Sequence, residues 1–280
     1  MRIDSHHHIW DLAVRDQDWI TGEDLQPIRR NFSMSDLREA ISGSGITKTV
    51  LVQTVTDYAE TPDLLAIAES DELVAGVVGW LKIDAPDAIE HLHKYLDLPG
   101  ANYLKGIRDI AQDHVDPNYL AREESIRNVQ KLAPLGITYD LLTKSPELPG
   151  AIEMVKACPD VQFVMDHISK PYISKEEMQP WKKLITELAS FPNVLCKISG
   201  LVTEANWNNW QVKDFLPYTD HLIEIFTPDR LMFGSDWPVA TLAASYAEVV
   251  ELAESLTIGL SPSESESFWS KTAIHAYNLG

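Results

Sequence analysis

Cysteine is scarce in this chain: Cys158 and Cys196 are the only two among 280 residues. That rules out a disulfide framework and any cysteine cluster with metal-ligand spacing, and the pair reads as buried thiols in a reducing compartment. No apolar run approaches the roughly 18 residues of a membrane-spanning helix. Basic residues are also few. With 23 Lys and Arg against 42 Asp and Glu, the formal charge is -19, and long-range repulsion opposes nucleic acid or an anionic membrane as the main partner. No glycine-rich phosphate turn follows the first strand-like segment, as an open dinucleotide-binding sheet would require. Met1-Arg2-Ile3-Asp4 enters strand-like sequence at once, so no signal peptide and a cytoplasmic location are expected. No low-complexity linker divides the chain, and a single domain over residues 1–280 is expected.

What is present is a repeated alternation. Strand-like runs are predicted at Arg2–His8, Thr49–Thr54, Ala75–Leu81, Tyr103–Arg108, Ile137–Leu142, Val161–His167, Val194–Ser199 and Leu231–Ser235. Helix-like spacing fills the intervals: Met34–Ser42, Pro62–Ser70, Ala85–Leu96, Glu123–Leu132, Leu148–Ala157, Glu176–Ser190, Gln211–Phe226 and Ser245–Glu254. Parallel neighbours need crossover helices, so this order predicts an α/β fold, a distorted (β/α)8 TIM barrel with its site at the C-terminal ends of the strands. Asp11–Phe32 reads as a long loop over the barrel mouth, and Ser261–Ser267 as a turn and cap before a final helix, Phe268–Tyr277.

Polar residues at strand ends are therefore the candidates for chemistry. Alternation along the first strand puts His6 and His8 on one face and His7 on the other. The sixth strand ends in Asp166-His167, and the eighth in Gly234-Ser235-Asp236-Trp237-Pro238. His6, His8, His167 and Asp236 would then open into one mouth, as ligands of a cation or as proton-transfer groups. Arg108 closes the fourth strand and suits a substrate carboxylate or a developing oxyanion; an ion pair with Asp109 or Asp113 is the bland alternative. Gln53, Trp80 and Asp140 stand near strand ends as candidates for binding hydroxyls or stacking on a ring, with barrel filling an equal alternative. Lys105, Lys170 and Lys197 are weaker candidates; Lys197 in particular could serve only in structural pairing.

The segments IDSHHHIWD (3–11), LVQTV (51–55), VVGWLKID (77–84), LKGIRDIAQD (104–113), ITYDLL (137–142), FVMDHISKP (163–171), NVLCKISGL (193–201), LMFGSDWPV (231–239) and TAIHAYNL (272–279) run in order through nearly the whole chain. Together they resemble the amidohydrolase superfamily, in its amidohydrolase-related branch of TIM-barrel metal-dependent hydrolases. The likeness is strongest to the subgroup of sugar lactonases and 2-pyrone-4,6-dicarboxylate lactonases. The resemblance implies metal ligands at His6, His8 and Asp236, with His167 as the strand-six histidine. The chain departs from the pattern at the fifth strand, where Tyr139-Asp140 replaces the usual histidine. At most one divalent metal ion, zinc first, is therefore expected, and metal-independent action is equally compatible with the depleted ligand set. The implied reaction is hydrolysis of a small lactone, with Asp236, His167 and Arg108 catalytic. A decarboxylase of small aromatic or muconate-type acids and a non-catalytic binding barrel are the alternatives. Oligomerisation, including a homo-oligomer, stays open.

Overall fold

The structure, a computed structural model, describes residues 1–280. Eight parallel strands follow the chain in order: β1 (Arg2–His7), β2 (Ile46–Val52), β3 (Val74–Trp80), β4 (Leu104–Ile110), β5 (Thr138–Leu142), β6 (Phe163–Met165), β7 (Val194–Ile198) and β8 (Leu231–Phe233). Just beyond β8 the chain bridges back to β1: the Asp236 amide donates to the His6 carbonyl at 2.8 Å, and the His8 amide to the Trp237 carbonyl at 2.7 Å. The predicted (β/α)8 barrel is the observed architecture, and its seam closes at the mouth.

Two distortions aim the site. Between Asp4 and His7 the β1–β2 register slips by one residue, since Asp4 pairs with Thr49 but His7 with Leu51. That bulge lets Ile3 and His6 both face inward although an odd interval separates them, and it turns His7 out to Thr49 Oγ1 at 2.9 Å. The second distortion shortens β6. His167, Ile168, Ser169 and Lys170 all have φ between 43° and 56°. Left-handed backbone cannot continue an extended ladder, so the strand stops at Met165 rather than running on to His167 as expected, at a cost on the order of 1–2 kcal/mol per left-handed residue.

Helices cover the outside, among them α1 (Met34–Ala40), α2 (Glu60–Ser70), α3 (Ala88–Leu96), α4 (Glu123–Gln130), α5 (Leu148–Ala157) and α6 (Trp181–Ala189). Loop 11–32 is pinned at its base by paired backbone bonds between Trp10 and Phe32, and Phe32 meets Trp237 edge-on at 5.4 Å. It therefore packs beside the strand-eight end, and a cavity of about 580 Å³ lies between it and α2. The final helix starts earlier than expected. Ser261 caps it through a reciprocal bond pair with Glu264, and helical structure runs from Pro262 to Tyr277 with one wide turn at Ser267–Lys271. Its last turn plugs the barrel floor, where Ala273, Ala276 and Tyr277 pack against Ile3, Val78 and Leu195.

Candidate active site

Inward-facing positions on the strands rise from this apolar floor into a layer of charge. Strand alternation puts Arg108, Asp140 and Lys197 on the inner face, and Asp166 follows β6 at the same level; all are buried. Lys197 Nζ donates to Asp140 Oδ2 at 2.6 Å and to Asp166 Oδ1 at 2.9 Å, and Tyr277 Oη donates to Asp140 Oδ2 at 2.7 Å. Arg108 gives Nη1 to Asp166 Oδ2 at 2.8 Å and Nη2 to the Gln53 carbonyl at 2.6 Å. Two cations and two anions balance, as burial demands. Burial alone would raise both aspartates. For Asp166 the attraction of Lys197, His6 and Arg108 outweighs it and holds the carboxyl well below the usual range. For Asp140 burial wins and its carboxyl sits high.

Above this layer His6, His8, His167 and Asp236 meet. His6 Nε2 is 3.2 Å from His8 Nε2. Asp236 Oδ1 is 3.5 Å from His8 Nε2 and 3.8 Å from both His6 Nε2 and His167 Nε2. Second partners orient each ring. His8 Nδ1 faces the Val52 carbonyl at 2.8 Å, which can only accept, so that nitrogen carries the proton and Nε2 presents a lone pair. His167 Nδ1 meets Ser199 Oγ at 2.9 Å. Gly200 makes room: a Cβ there would lie 2.7 Å from His167 Nδ1, and its φ of +61° suits glycine.

The electrostatics favour neutral His6 and His167 rings beside one anion. Burial pushes His167 down to about 4 and His6 well below the ordinary imidazole range. Burial opposes the charge on Asp236 too, but His167, His8 and His6 outweigh it and hold the carboxyl below the usual carboxylate range. Such a set suits a divalent cation. A tetrahedral zinc with bonds of about 2.1 Å has ligand–ligand edges of about 3.4 Å. The 3.2, 3.5 and 3.8 Å separations bracket that value, and atoms of His6, His167 and Asp236 all lie within 4.8 Å of one another.

Some expected residues lie elsewhere. Asp140 is sealed a layer below the histidines by Lys197 and Tyr277, out of reach of a substrate hydroxyl. Arg108 occupies the same layer, 3% exposed; it grips Asp166 and the Gln53 carbonyl, and its Nη1 also lies 3.4 Å from His6 Nε2. Trp80 spends its indole N–H on Asp109 at 2.7 Å and packs on Tyr58, with ring centres 4.7 Å apart. Gln53 differs, because both its amide atoms are buried without a partner. Lys105 reaches the Asn278 carbonyl, outside the barrel core. Period-two alternation in Val194–Ile198 is the sequence signal that points Lys197 inward, whereas nothing local places Tyr277 beneath the site.

The chain is similar to known proteins over nearly its whole length. The family model described as Amidohydrolase matches residues 3–279. An L-fucono-1,5-lactonase of Burkholderia multivorans is 33% identical over 291 residues, covering 100% of this chain and 96% of that protein. The Burkholderia ambifaria L-fucono-1,5-lactonase is 33% identical over 250 residues, covering 88% of this chain and 83% of its own. A crystal structure of a Burkholderia multivorans amidohydrolase with bound zinc superposes with a TM-score of 0.92 at 32% identity, over 100% of both chains. With the family model spanning the barrel from first strand to last helix, the chain belongs to the amidohydrolase family.

Proposed function

We propose that this protein is a carboxylic ester hydrolase that opens a small, sugar-derived lactone at the mouth formed by His6, His8, His167 and Asp236. The observation that carries the reading is the convergence of three imidazoles on one buried carboxylate, in a chain alike over its full length to a protein named L-fucono-1,5-lactonase. Asp236 Oδ1 orients the attacking water and takes its proton as the bond to the carbonyl forms. A carboxylate held so far toward ionisation is a weak base, so it accepts the proton only transiently. His167 Nε2, 3.8 Å away and neutral at pH 7, takes that proton from Asp236 and delivers it to the departing ring oxygen, so both groups end as they began. The Gln53 amide offers one donor and one acceptor to a substrate hydroxyl. Arg108 acts from below by holding Asp166 against His6. His6, His8 and Asp236 would hold one divalent ion, zinc first, which when bound would polarise the carbonyl and acidify water.

The test is a panel of 1,4- and 1,5-sugar lactones followed with a pH indicator, on metal-analysed protein before and after chelation. A kcat/KM of about 10⁴ M⁻¹s⁻¹ or more on at least one lactone is expected. Carbon dioxide release from a carboxylic acid without lactone opening would replace the reading with a decarboxylase, and no turnover in either assay with a non-catalytic barrel.

A further inference from the structure

Asp4 is a buried carboxyl on β1 whose four partners are amides and hydroxyls, none of them a cation. Taking such a group out of water is costly, and its partners show what it holds. Oδ1 accepts the His6 N–H at 3.1 Å and the Ser235 N–H at 2.8 Å. Oδ2 accepts from Ser235 Oγ at 2.6 Å and from Tyr246 Oη at 2.9 Å, the latter at the start of the helix Tyr246–Leu256. One carboxyl thus joins β1 at its bulge to the turn that follows β8.

These bonds bracket Asp236. Its φ of 58° is one that L-residues adopt only at a cost, so the turn has to be held. Three successive N–H groups hold it. Ser235 donates to Asp4 Oδ1 at 2.8 Å, Asp236 to the His6 carbonyl at 2.8 Å, and Trp237 to Ser235 Oγ at 3.0 Å. The Ser235 hydroxyl is itself fixed by Asp4 Oδ2, so two of the three anchors depend on Asp4. The Trp237 N–H lies on the peptide plane that sets ψ of Asp236, and with it the direction of the side chain.

We propose that Asp4 is a positioning residue that sets the Asp236 carboxylate against the imidazoles of His6 and His8, by clamping the backbone of the strand-eight turn to that of β1. The proposal rests on reading Asp236 as the group that takes the water's proton. Asp4 touches neither substrate nor the reacting atoms.

The experiment compares Asp4→Ala in the wild-type and Asp236→Asn backgrounds, with thermal unfolding and a crystal structure of each folded variant. A misplacement of about 1 Å can cost about 10²-fold in rate. Asp4→Ala is therefore expected to lower kcat at least about tenfold in the wild-type background, and by less than about threefold once the Asp236 carboxylate is gone. A merely structural role would lower kcat by the same factor in both backgrounds, and that result, or an unchanged kcat, overturns the proposal. Asp4→Asn keeps an oxygen for the two amides, and both hydroxyls can turn to accept from its nitrogen. It is expected to lose less than Asp4→Ala; an equal loss would place the effect on charge and overturn the clamp. Should Asp4→Ala fail to fold, Ser235→Ala, which removes only the hydroxyl link, decides by the same comparison. If the wild type opens no lactone, or Asp236→Asn keeps full activity, the proposed function or its base falls and the crystal structures decide. An Asp236 carboxylate displaced by about 1 Å or more in the variant then supports the clamp, and an unmoved one overturns it.

Discussion

Replacing Asp236 by Asn isolates the chemistry from the fold. Asp236 sits at φ 58°, a left-handed conformation that Asn adopts more readily than most L-residues. The turn itself is held by backbone bonds, Asp236 N–H to the His6 carbonyl at 2.8 Å and Ala240 N–H to the Asp236 carbonyl at 2.9 Å, and neither involves the carboxylate. Asn is also nearly isosteric, so the closure between β8 and β1 should survive. The melting temperature should fall while the fold survives, because the neutral amide loses the attraction that holds the Asp236 carboxyl ionised at pH 7. What disappears is the only anion within 3.8 Å of all three site imidazoles, and with it the group that accepts the water's proton. Loss of a general base costs about 10²–10⁴-fold, or roughly 3–5 kcal/mol in barrier. The assay is kcat on the best lactone of the panel, with metal content and thermal unfolding measured on the same preparation. A folded Asp236→Asn variant within about threefold of wild-type kcat, less than ~1 kcal/mol, would remove Asp236 from the mechanism.

Gly200→Ala should both destabilise the protein, by roughly 1–3 kcal/mol for a non-glycine residue at positive φ, and displace His167, whose Nδ1 would lie 2.7 Å from the new Cβ; a folded variant of unchanged kcat would show that His167 needs no fixed place. Elemental analysis of zinc-loaded protein should find at most one tightly held ion per chain, because the fifth-strand position offers only Asp140, already bound by Lys197 and Tyr277; two ions would contradict this. Burial pushes the Cys158 thiol up to about 11 and Cys196 higher still. Neither cysteine should react with a thiol reagent at pH 8 until the protein unfolds, and rapid labelling of the native chain would refute their burial.

The sequence alone determined the order of elements, because each repeat carries its own local signals. Apolar runs of strand length alternate with segments of helical spacing, and Leu148–Ala157 has the same bounds in the structure as in the sequence. It also marked His6, His8, His167 and Asp236, since functional groups in a barrel collect at the carboxyl ends of the strands. Family likeness and strand position pointed to the same four. Tertiary structure decided how those residues meet. The one-residue bulge in β1 and the left-handed turn after β6 have no local sequence signature, being conformations that packing imposes against intrinsic preference. Arg108 and Asp140 looked like substrate groups because strand-end position cannot tell the mouth from the layer beneath it. That distinction depends on how far each strand climbs the barrel and on which opposite charges it meets there. Tyr277 and Asp140 come from segments far apart in the chain, and only the packing of the C-terminal helix under the barrel brings them within hydrogen-bond reach.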